Sequence, residues 1–246
     1  MKIFSRKFFI DTVCGFIPNK DLRARARVSM RYPDSRKYIR FARQDAGVPV
    51  RKMRLAFGVG YKNLVVIIND AIVYKFSLID DGVAAAAREE RILAALVTPG
   101  GVAAPKMEII KWRGVTVRRY EFCAGRLLYD FSPQSVAKHR NKIARQLARF
   151  VFNVATADPA EIRDLKPTPN ARPGRMRGWC HNDLAYNFMM DDDFNITWFI
   201  DWQNAAFCDL NVALDTADVQ WTQRGFDGLA AAVRNEYERL WAARNQ

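Results

Sequence analysis

The sequence contains few of the side chains from which zinc sites are built. Its 246 residues include only two histidines, His139 and His181, and its four cysteines form no Cys-x-x-Cys pair. This composition disfavours a zinc site. Single cysteines that lie far apart are typical of a reducing compartment such as the cytoplasm, where they behave as small buried apolar residues.

Long apolar runs are also missing from the sequence. No run of about eighteen apolar residues occurs, so we expect no transmembrane helix. The apolar groups around Phe8 and Phe9 are too short, and too interrupted by charge, for a secretory signal. Half of the residues are nevertheless apolar, which is enough for one substantial core or for two small lobes around a cleft.

The positive charge of the chain is concentrated near its beginning. The net charge is +13, and residues 1–54 hold 15 Lys and Arg against four Asp. Such a basic arm is typical of proteins that meet phosphate groups on nucleic acid, on anionic lipid or on a phosphorylated glycan. Apolar pieces between the basic residues favour a short amphipathic helix on a membrane surface. The alternative is a solvated face without a partner.

The order of predicted elements separates strands from helices. A hairpin is expected at 64–76 around Asn69-Asp70, and further strands at 107–110 and 115–122, with a helix at 84–96 between them. Beyond Gly125 the pattern is helical, at 136–156 and 211–243, with a loop at 158–178 and a short strand at 198–200. This order predicts an α+β fold. It divides into a basic N-terminal arm (1–50), a β-rich part (51–124) and a mostly helical part (125–246).

The residues most suited to chemistry lie between His181 and Asp201. The segment HNDLAYN, residues 181–187, is followed by an apolar strand that ends at Asp201-Trp202. In phosphoryl transfer one carboxylate orients the acceptor hydroxyl, while a second carboxylate and an amide oxygen hold magnesium. The acidic run 191–193 is instead interpreted as the hairpin turn before that strand.

This pattern resembles the catalytic loop and the metal-binding strand of the aminoglycoside phosphotransferase and choline kinase family. The resemblance covers about residues 55–220 and implies the two-lobed protein-kinase-like fold, with a small β-rich N-lobe and a mostly helical C-lobe. It implies Asp183 as the catalytic base, Asn187 and Asp201 as Mg²⁺ ligands, and His181 as a support of the loop. ATP and Mg²⁺ are the cofactors that it implies.

Other parts of the family pattern occur in the same order along the chain. They are Gly58 and Gly60 in the turn that covers the phosphates, Lys75 as the lysine that binds the α- and β-phosphates, Glu89 as its partner in the next helix, and Glu121 and Cys123 in the linker that receives adenine. Glu90 is the alternative to Glu89. The sequence departs from the family at Asn187, which follows Asp183 by four residues instead of five.

The acceptor is predicted less narrowly than the reaction. A basic protein with few carboxylates in its helical half is poorly matched to a cationic aminoglycoside. The family resemblance and the N-terminal segment 8–25, which is similar to the leading segment of surface-polysaccharide enzymes, favour a sugar of lipopolysaccharide or capsule. Choline is the other candidate. Three tryptophans could either form an aromatic cage for it or belong to the core, namely Trp202, Trp221 and Trp241.

Two alternatives from other functional classes stay open at this point. One is a pseudokinase or nucleotide-binding regulator, which the early position of Asn187 suggests. The other is a nucleic-acid-binding protein, which the net charge suggests. We expect a cytoplasmic enzyme that can associate with the inner face of the membrane.

Overall fold

The computed structural model describes residues 6–31, 34–57, 63–77, 82–96, 104–157, 159–165 and 177–244. Two compact units make up the chain. The first contains residues 1–86 and 107–122, and the second contains residues 87–106 and 123–246. Gly58 and Gly60 lie outside the described residues.

Three helices and one antiparallel sheet form the first unit. The described elements are α1 (Arg6–Gly15), α2 (Lys20–Arg31), α3 (Ser35–Asp45), β1 (Met53–Phe57), β2 (Asn63–Ile68), β3 (Ile72–Ser77), β4 (Met107–Trp112) and β5 (Val115–Glu121). The strand order in the sheet is β1-β2-β3-β5-β4.

The predicted hairpin around Asn69 and Asp70 is confirmed, and it joins β2 to β3. Both turn residues have positive φ angles, 55° and 49°, which asparagine and aspartate tolerate better than most residues. The Asn69 side chain accepts hydrogen bonds from the backbone N–H groups of Arg51 and Lys52, at 2.8 and 3.0 Å. The turn is thereby tied to the segment that leads into β1, a strand that the sequence pattern did not reveal.

Alternation along the strands gives this sheet one apolar face and one mixed face. Leu64, Val66 and Phe76 are fully buried on the apolar face. The mixed face carries Lys75 on β3 and, directly opposite on the neighbouring β5, Arg118, next to aliphatic side chains of β2 and β4. One sheet therefore separates a hydrophobic core from a face on which two cations are buried.

Helix α3 belongs to the core of the first unit. Phe41 and Ala42 are buried in the same cluster as the sheet, and the Phe41 ring centroid lies 4.7 Å from that of Trp112. The Tyr74 hydroxyl donates to the Asp45 carboxylate at 2.8 Å, which fastens the end of α3. The opposite side of α3 presents exposed Arg36, Arg40 and Arg43. Residues 1–50 thus include a helix with one face in the core.

The second unit is mostly helical, with two small sheets. Its described elements are the larger part of α4 (Gly82–Ala95), β6 (Arg126–Leu127), α5 (Pro133–Thr156), β7 (Arg177–Cys180), β8 (Phe188–Met190), β9 (Ile196–Phe199), β10 (Ala206–Asp209), α6 (Leu210–Thr222), α7 (Leu229–Arg244), and the 3-10 helices Leu128–Asp130, Ala160–Ile162 and Trp202–Asn204. The sheets have the orders β10-β7 and β6-β8-β9.

Helix α5 is the central helix of the second unit. It begins three residues earlier than the apolar pattern indicated, because Ser132 caps it by accepting from the Ser135 N–H and Pro133 occupies its first turn. Its apolar side is buried, and the Phe150 ring stacks on Phe199 of β9. Through this contact the helix supports the strand that leads to Asp201.

Among the described residues, no helix is both long and apolar enough to pass through a bilayer.

We expect Phe41→Ala to lower the free energy of unfolding of the first unit by about 3–5 kcal/mol, because it removes a buried aromatic ring. Arg43→Ala, an exposed change on the same helix, should alter it by less than about 0.5 kcal/mol. Urea unfolding of both variants measures the difference. Equal effects would show that α3 is not part of the core.

Candidate active site

The segment from His181 to Asn187 follows β7 as a loop whose middle residues are buried. Leu184 and Ala185 are 2% exposed, and the Trp221 indole N–H donates to the Ala185 carbonyl at 3.2 Å. Asn182 has a φ angle of 59°, in the left-handed region, so the chain turns sharply just before Asp183. The buried residues after Asp183 and the sharp turn before it together fix the backbone position of Asp183.

His181 joins this loop to the end of the β9 segment. Its side chain is buried, and its Nε2 atom lies 2.9 Å from the carbonyl oxygen of Ile200. Burial lowers the pKa of the imidazole, so the neutral ring donates its Nε2–H to that carbonyl. The ring also lies against Trp202, with 4.8 Å between ring centroids. His181 therefore positions backbone on both sides of the site.

Asp183 is a partly buried carboxylate with an amide donor beside it. The Asn204 side chain donates from Nδ2 to Asp183 Oδ2 at 3.2 Å. Burial raises the pKa of the Asp183 carboxyl, nearby Asp201 raises it further, and the hydrogen bond from Asn204 counteracts them. A carboxyl with a raised pKa holds a proton more readily than an ordinary aspartate, which suits a general base.

Asn187 is held by its nitrogen, which leaves its oxygen as the atom for a ligand. Its Nδ2 donates to the backbone carbonyl of Asp183 at 2.9 Å. The backbone carbonyl of Asn187 accepts a hydrogen bond from the Ile200 N–H, also at 2.9 Å. The loop, although one residue shorter than the family pattern, thus connects Asn187 with the residue before Asp201.

Asp201 stands just after β9 in an unusual backbone conformation. Its φ and ψ angles are both 61°, which is left-handed and uncommon for a residue other than glycine, asparagine or aspartate. The 3-10 helix Trp202–Asn204 begins immediately afterwards. This conformation ends the strand and turns the chain, so that Asn204 reaches the Asp183 carboxylate.

Asp183, Asn187 and Asp201 offer hard oxygen atoms of the kind that Mg²⁺ prefers. Among the described residues, no group of three His, Cys, Asp or Glu side chains could hold a metal ion. A magnesium site here therefore depends on the Asn187 amide oxygen together with the carboxylates. The donor set fits Mg²⁺ better than zinc.

Glu89 of α4 is fully buried, whereas Glu90 is exposed. The Glu89 Oε1 atom accepts a hydrogen bond from the backbone N–H of Trp202 at 3.0 Å. The neighbouring Arg88 donates to the Ala205 carbonyl at 2.7 Å. Within the second unit, α4 therefore holds both ends of the 3-10 helix that follows Asp201.

Lys75 lies in the first unit and is 7% exposed. Arg118, its cross-strand neighbour, is 1% exposed and donates from Nη2 to Asn63 Oδ1 at 2.9 Å and to Ser77 Oγ at 3.2 Å. Asn63 is the first residue of β2 and Ser77 the last of β3. Arg118 thus links the ends of the two strands, a role that sequence reasoning missed. The available signal was a charged residue in the middle of a predicted strand, β5.

The linker residues Glu121 and Cys123 differ in exposure. Glu121, the last residue of β5, is exposed, and Cys123 is buried. Between them, the Phe122 N–H donates to the Ala71 carbonyl at 2.8 Å, so that backbone donor is already used. Adenine binding by this linker stays a prediction, as do the roles given to the other site residues.

Several sequence interpretations near the site are settled by local hydrogen bonds. The Asp191 carboxylate accepts from the backbone N–H groups of Asp193 and Asn195, so the acidic run is the turn between β8 and β9, as expected. Trp202 and Trp221 are 1% and 0% exposed, which makes them core residues and leaves no cage built from both. Asn204 was missed, because nothing in the sequence marks it.

Comparison with known proteins gives the fold. The GDP and kanamycin complex of APH(2")-IIia matches with a TM-score of 0.65 and 17% identity, over 82% of this chain and 82% of that chain. The streptomycin-ATP-APH(2")-IIa ternary complex matches with a TM-score of 0.63 and 13% identity, over 83% and 84%. The macrolide 2'-phosphotransferase MphH from Brachybacterium faecium matches with a TM-score of 0.58 and 18% identity, over 82% of each chain.

At the level of sequence, no protein-family model and no curated protein matches the chain. The structural likenesses confirm the predicted α+β fold of the kinase-like antibiotic phosphotransferases.

The raised pKa of Asp183 has a consequence for stability. A carboxyl whose pKa is higher in the folded state stabilises the fold below its unfolded pKa, and loses that contribution as pH rises through the folded pKa. We expect Asp183→Asn to be more stable than the wild type at neutral pH, with the difference vanishing in acid. Thermal unfolding across pH measures this.

The exposed residue Asp227 provides the control for that measurement. Asp227→Asn changes the net charge equally and should follow the wild-type curve. If Asp183→Asn also followed that curve, burial of the Asp183 carboxyl would have no energetic effect.

Proposed function

Because the chain has the fold of the aminoglycoside and macrolide phosphotransferases, we propose that it transfers the γ-phosphate of ATP to a hydroxyl group of a small molecule or glycan. The observation that carries the proposal is the convergence of one loop and one strand end. Asn187 bonds to the backbone of Asp183 and of Ile200, and Asp201 acts electrostatically on Asp183. Such catalysis consists mostly of positioning and charge stabilisation.

Asp183 is the proposed general base. Its carboxylate accepts the proton of the acceptor hydroxyl as the oxygen of that hydroxyl bonds to the γ-phosphorus. The bond between the γ-phosphorus and the bridging oxygen breaks, and ADP leaves with those electrons. Asn204, which donates to Asp183 Oδ2, holds the carboxylate in one orientation for this step.

Asn187 and Asp201 are the proposed ligands of Mg²⁺. When bound, the ion supplies charge neutralisation at the phosphates. Lys75 is the proposed contact of the α- and β-phosphates. Arg118 acts on this role indirectly, by joining Asn63 at the start of β2 to Ser77 at the end of β3, the strand that carries Lys75. Glu89 supports the segment after Asp201 through the Trp202 N–H.

A sugar is the acceptor that the second unit favours over a polycation. Arg224 lies 5.1 Å from the centroid of the Tyr129 ring, and that ring is 4.6 Å from the ring of Tyr186 in the catalytic loop. Burial and the neighbouring Tyr186 raise the pKa of the Tyr129 hydroxyl, and the charge of Asp183 raises it further. Aromatic rings beside a cation suit a neutral or anionic sugar and disfavour an aminoglycoside.

The basic N-terminal residues extend the same proposal. They favour an acceptor that is part of a phosphorylated surface glycan, such as lipopolysaccharide or capsule, and a reaction at the inner face of the membrane. All four cysteines are buried and none is in a disulfide, which supports the proposed cytoplasmic location. Nucleic acid is a less fitting partner, because the basic run 20–31 has no aromatic residue between its charges.

An ATP-consumption screen tests the acceptor class. Hexoses, heptose, Kdo-containing lipid acceptors, choline, ethanolamine and kanamycin are supplied in turn with Mg²⁺ and ATP. We expect a sugar or glycolipid to stimulate ADP release, and chemical analysis of the product to show a new phosphate ester. ATP binding without transfer to any of them would favour the pseudokinase alternative.

We expect Asp183→Asn to lower kcat by about 10²–10⁴-fold while ATP binding changes little, because the amide cannot accept the hydroxyl proton. Single-turnover transfer and equilibrium nucleotide binding are measured on the same preparation. Asp227→Asn is the matched control and should keep wild-type turnover. Near-normal turnover of Asp183→Asn would remove Asp183 from the catalytic role.

The pH profile provides a second test of the base. We expect kcat/KM of the wild type to fall as pH falls through the raised pKa of Asp183, because only the ionised carboxyl accepts a proton. Asn204→Ala removes a hydrogen bond that favours the ionised form, so the acidic limb should move to higher pH. Gln223→Ala, which changes an exposed amide, should leave the limb in place. An unmoved limb in Asn204→Ala would contradict this arrangement.

A further inference from the structure

The turn between α1 and α2 presents an unusual group of exposed apolar side chains. Val13, Phe16 and Leu22, called here the apolar tip, are 42%, 83% and 56% exposed. The other large apolar side chains exposed in the described residues are scattered through the chain, at Val48, Val83, Phe207 and Val219. Single exposed apolar residues are ordinary, but three within ten residues, in one turn and in the helix ends beside it, indicate a surface that another apolar phase covers.

The apolar tip is held by a well-formed turn. The Ile17 N–H donates to the Cys14 carbonyl at 3.1 Å, and Asn19 caps α2 by accepting from the Leu22 N–H at 3.0 Å. The Arg23 guanidinium donates to the carbonyls of Ile17 and Pro18, at 2.8 and 3.2 Å. These bonds satisfy the carbonyls of Cys14, Ile17 and Pro18, which lowers the free-energy cost of moving the turn out of water.

The inner side of the same hairpin is already packed. Ile10, Cys14 and Val28 are 2%, 0% and 1% exposed, and the Cys14 thiol lies 3.7 Å from the Met30 sulfur. Phe16 and Leu22 therefore do not serve the contact between α1 and α2. Their exposure costs free energy in water, because apolar area remains hydrated.

Positive charge surrounds the apolar tip in sequence. Residues 1–31 contain eight Lys and Arg and two Asp. Arg25 is exposed on α2, and α3 adds Arg36, Arg40 and Arg43 on the side that faces away from the core. An apolar group flanked by arginines matches the interface of an anionic bilayer, where apolar side chains enter the acyl boundary and cations meet lipid phosphates.

We propose that the apolar tip inserts into the interface of an anionic phospholipid bilayer and that the basic residues of α2 and α3 hold it there. Duplex nucleic acid would be bound through its phosphates and would not require Phe16 or Leu22. The proposal concerns the helical hairpin and does not depend on the phosphotransferase activity, so each can fail without the other.

The test is co-sedimentation of the full chain with vesicles of phosphatidylcholine alone and of phosphatidylcholine mixed with phosphatidylglycerol. We expect binding to the mixed vesicles only. Phe16→Ser should weaken it about tenfold, because it removes most of the inserted apolar area. Phe207→Ser, which removes another exposed phenylalanine, should bind like the wild type.

A second pair of variants separates charge from insertion. Arg25→Gln should weaken binding to the mixed vesicles about fivefold. Arg145→Gln changes the net charge equally at an exposed position on α5 and should have no effect. Since Phe16 and Arg25 are exposed, we expect these variants to unfold thermally like the wild type. A matching unfolding curve would show that a variant is folded.

Three outcomes would overturn the proposal. The first is absence of binding to the mixed vesicles, and the second is wild-type binding by Phe16→Ser. The third is equal weakening by Phe16→Ser and Phe207→Ser. If the protein bound RNA or polyphosphate but not the mixed vesicles, the first outcome would apply, and the surface would be purely electrostatic.

Discussion

The hydrogen bond from His181 Nε2 to the Ile200 carbonyl is the constraint on which the candidate site depends. It is buried, and it joins a loop that holds the proposed base to the segment that holds a proposed metal ligand. A buried hydrogen bond of this kind cannot be exchanged for one to water without opening the core. The bond between the Ile200 N–H and the Asn187 carbonyl runs beside it. Two short segments of the second unit are therefore fixed to each other before any ligand binds.

Buried charge in each unit is met by hydrogen bonds that also organise backbone. Glu89 accepts from the Trp202 N–H, and Arg118 donates to Asn63 and Ser77. A buried ion is costly unless such partners are present. In both cases the partner lies beside a segment to which the family resemblance gives a role. The same hydrogen bonds thus stabilise the buried charge and hold the neighbouring backbone in position.

The sequence allowed the fold class and the order of the central elements to be predicted because those features depend on local patterns. Apolar runs and turn residues predict both the hairpin at Asn69-Asp70 and the strand before Asp201. By contrast, α3 was hidden, because five Lys, Arg and Asp residues among its eleven obscure the inward spacing of Tyr38, Phe41 and Ala42. The strands β1 and β10 are short and become strands only through their partners. Arg118 and Asn204 depend on cross-strand register and on a 3-10 turn, which no local pattern encodes.

The left-handed backbone at Asp201 limits how this site can change during evolution. Only glycine, asparagine and aspartate adopt that conformation readily. Asparagine and glycine can each replace aspartate through one nucleotide change, and both preserve the turn while removing the carboxylate. Most other replacements would strain the backbone and disturb the segment that follows. The easiest heritable changes at this position therefore lead to descendants that keep the fold but lose the carboxylate that we propose as a Mg²⁺ ligand.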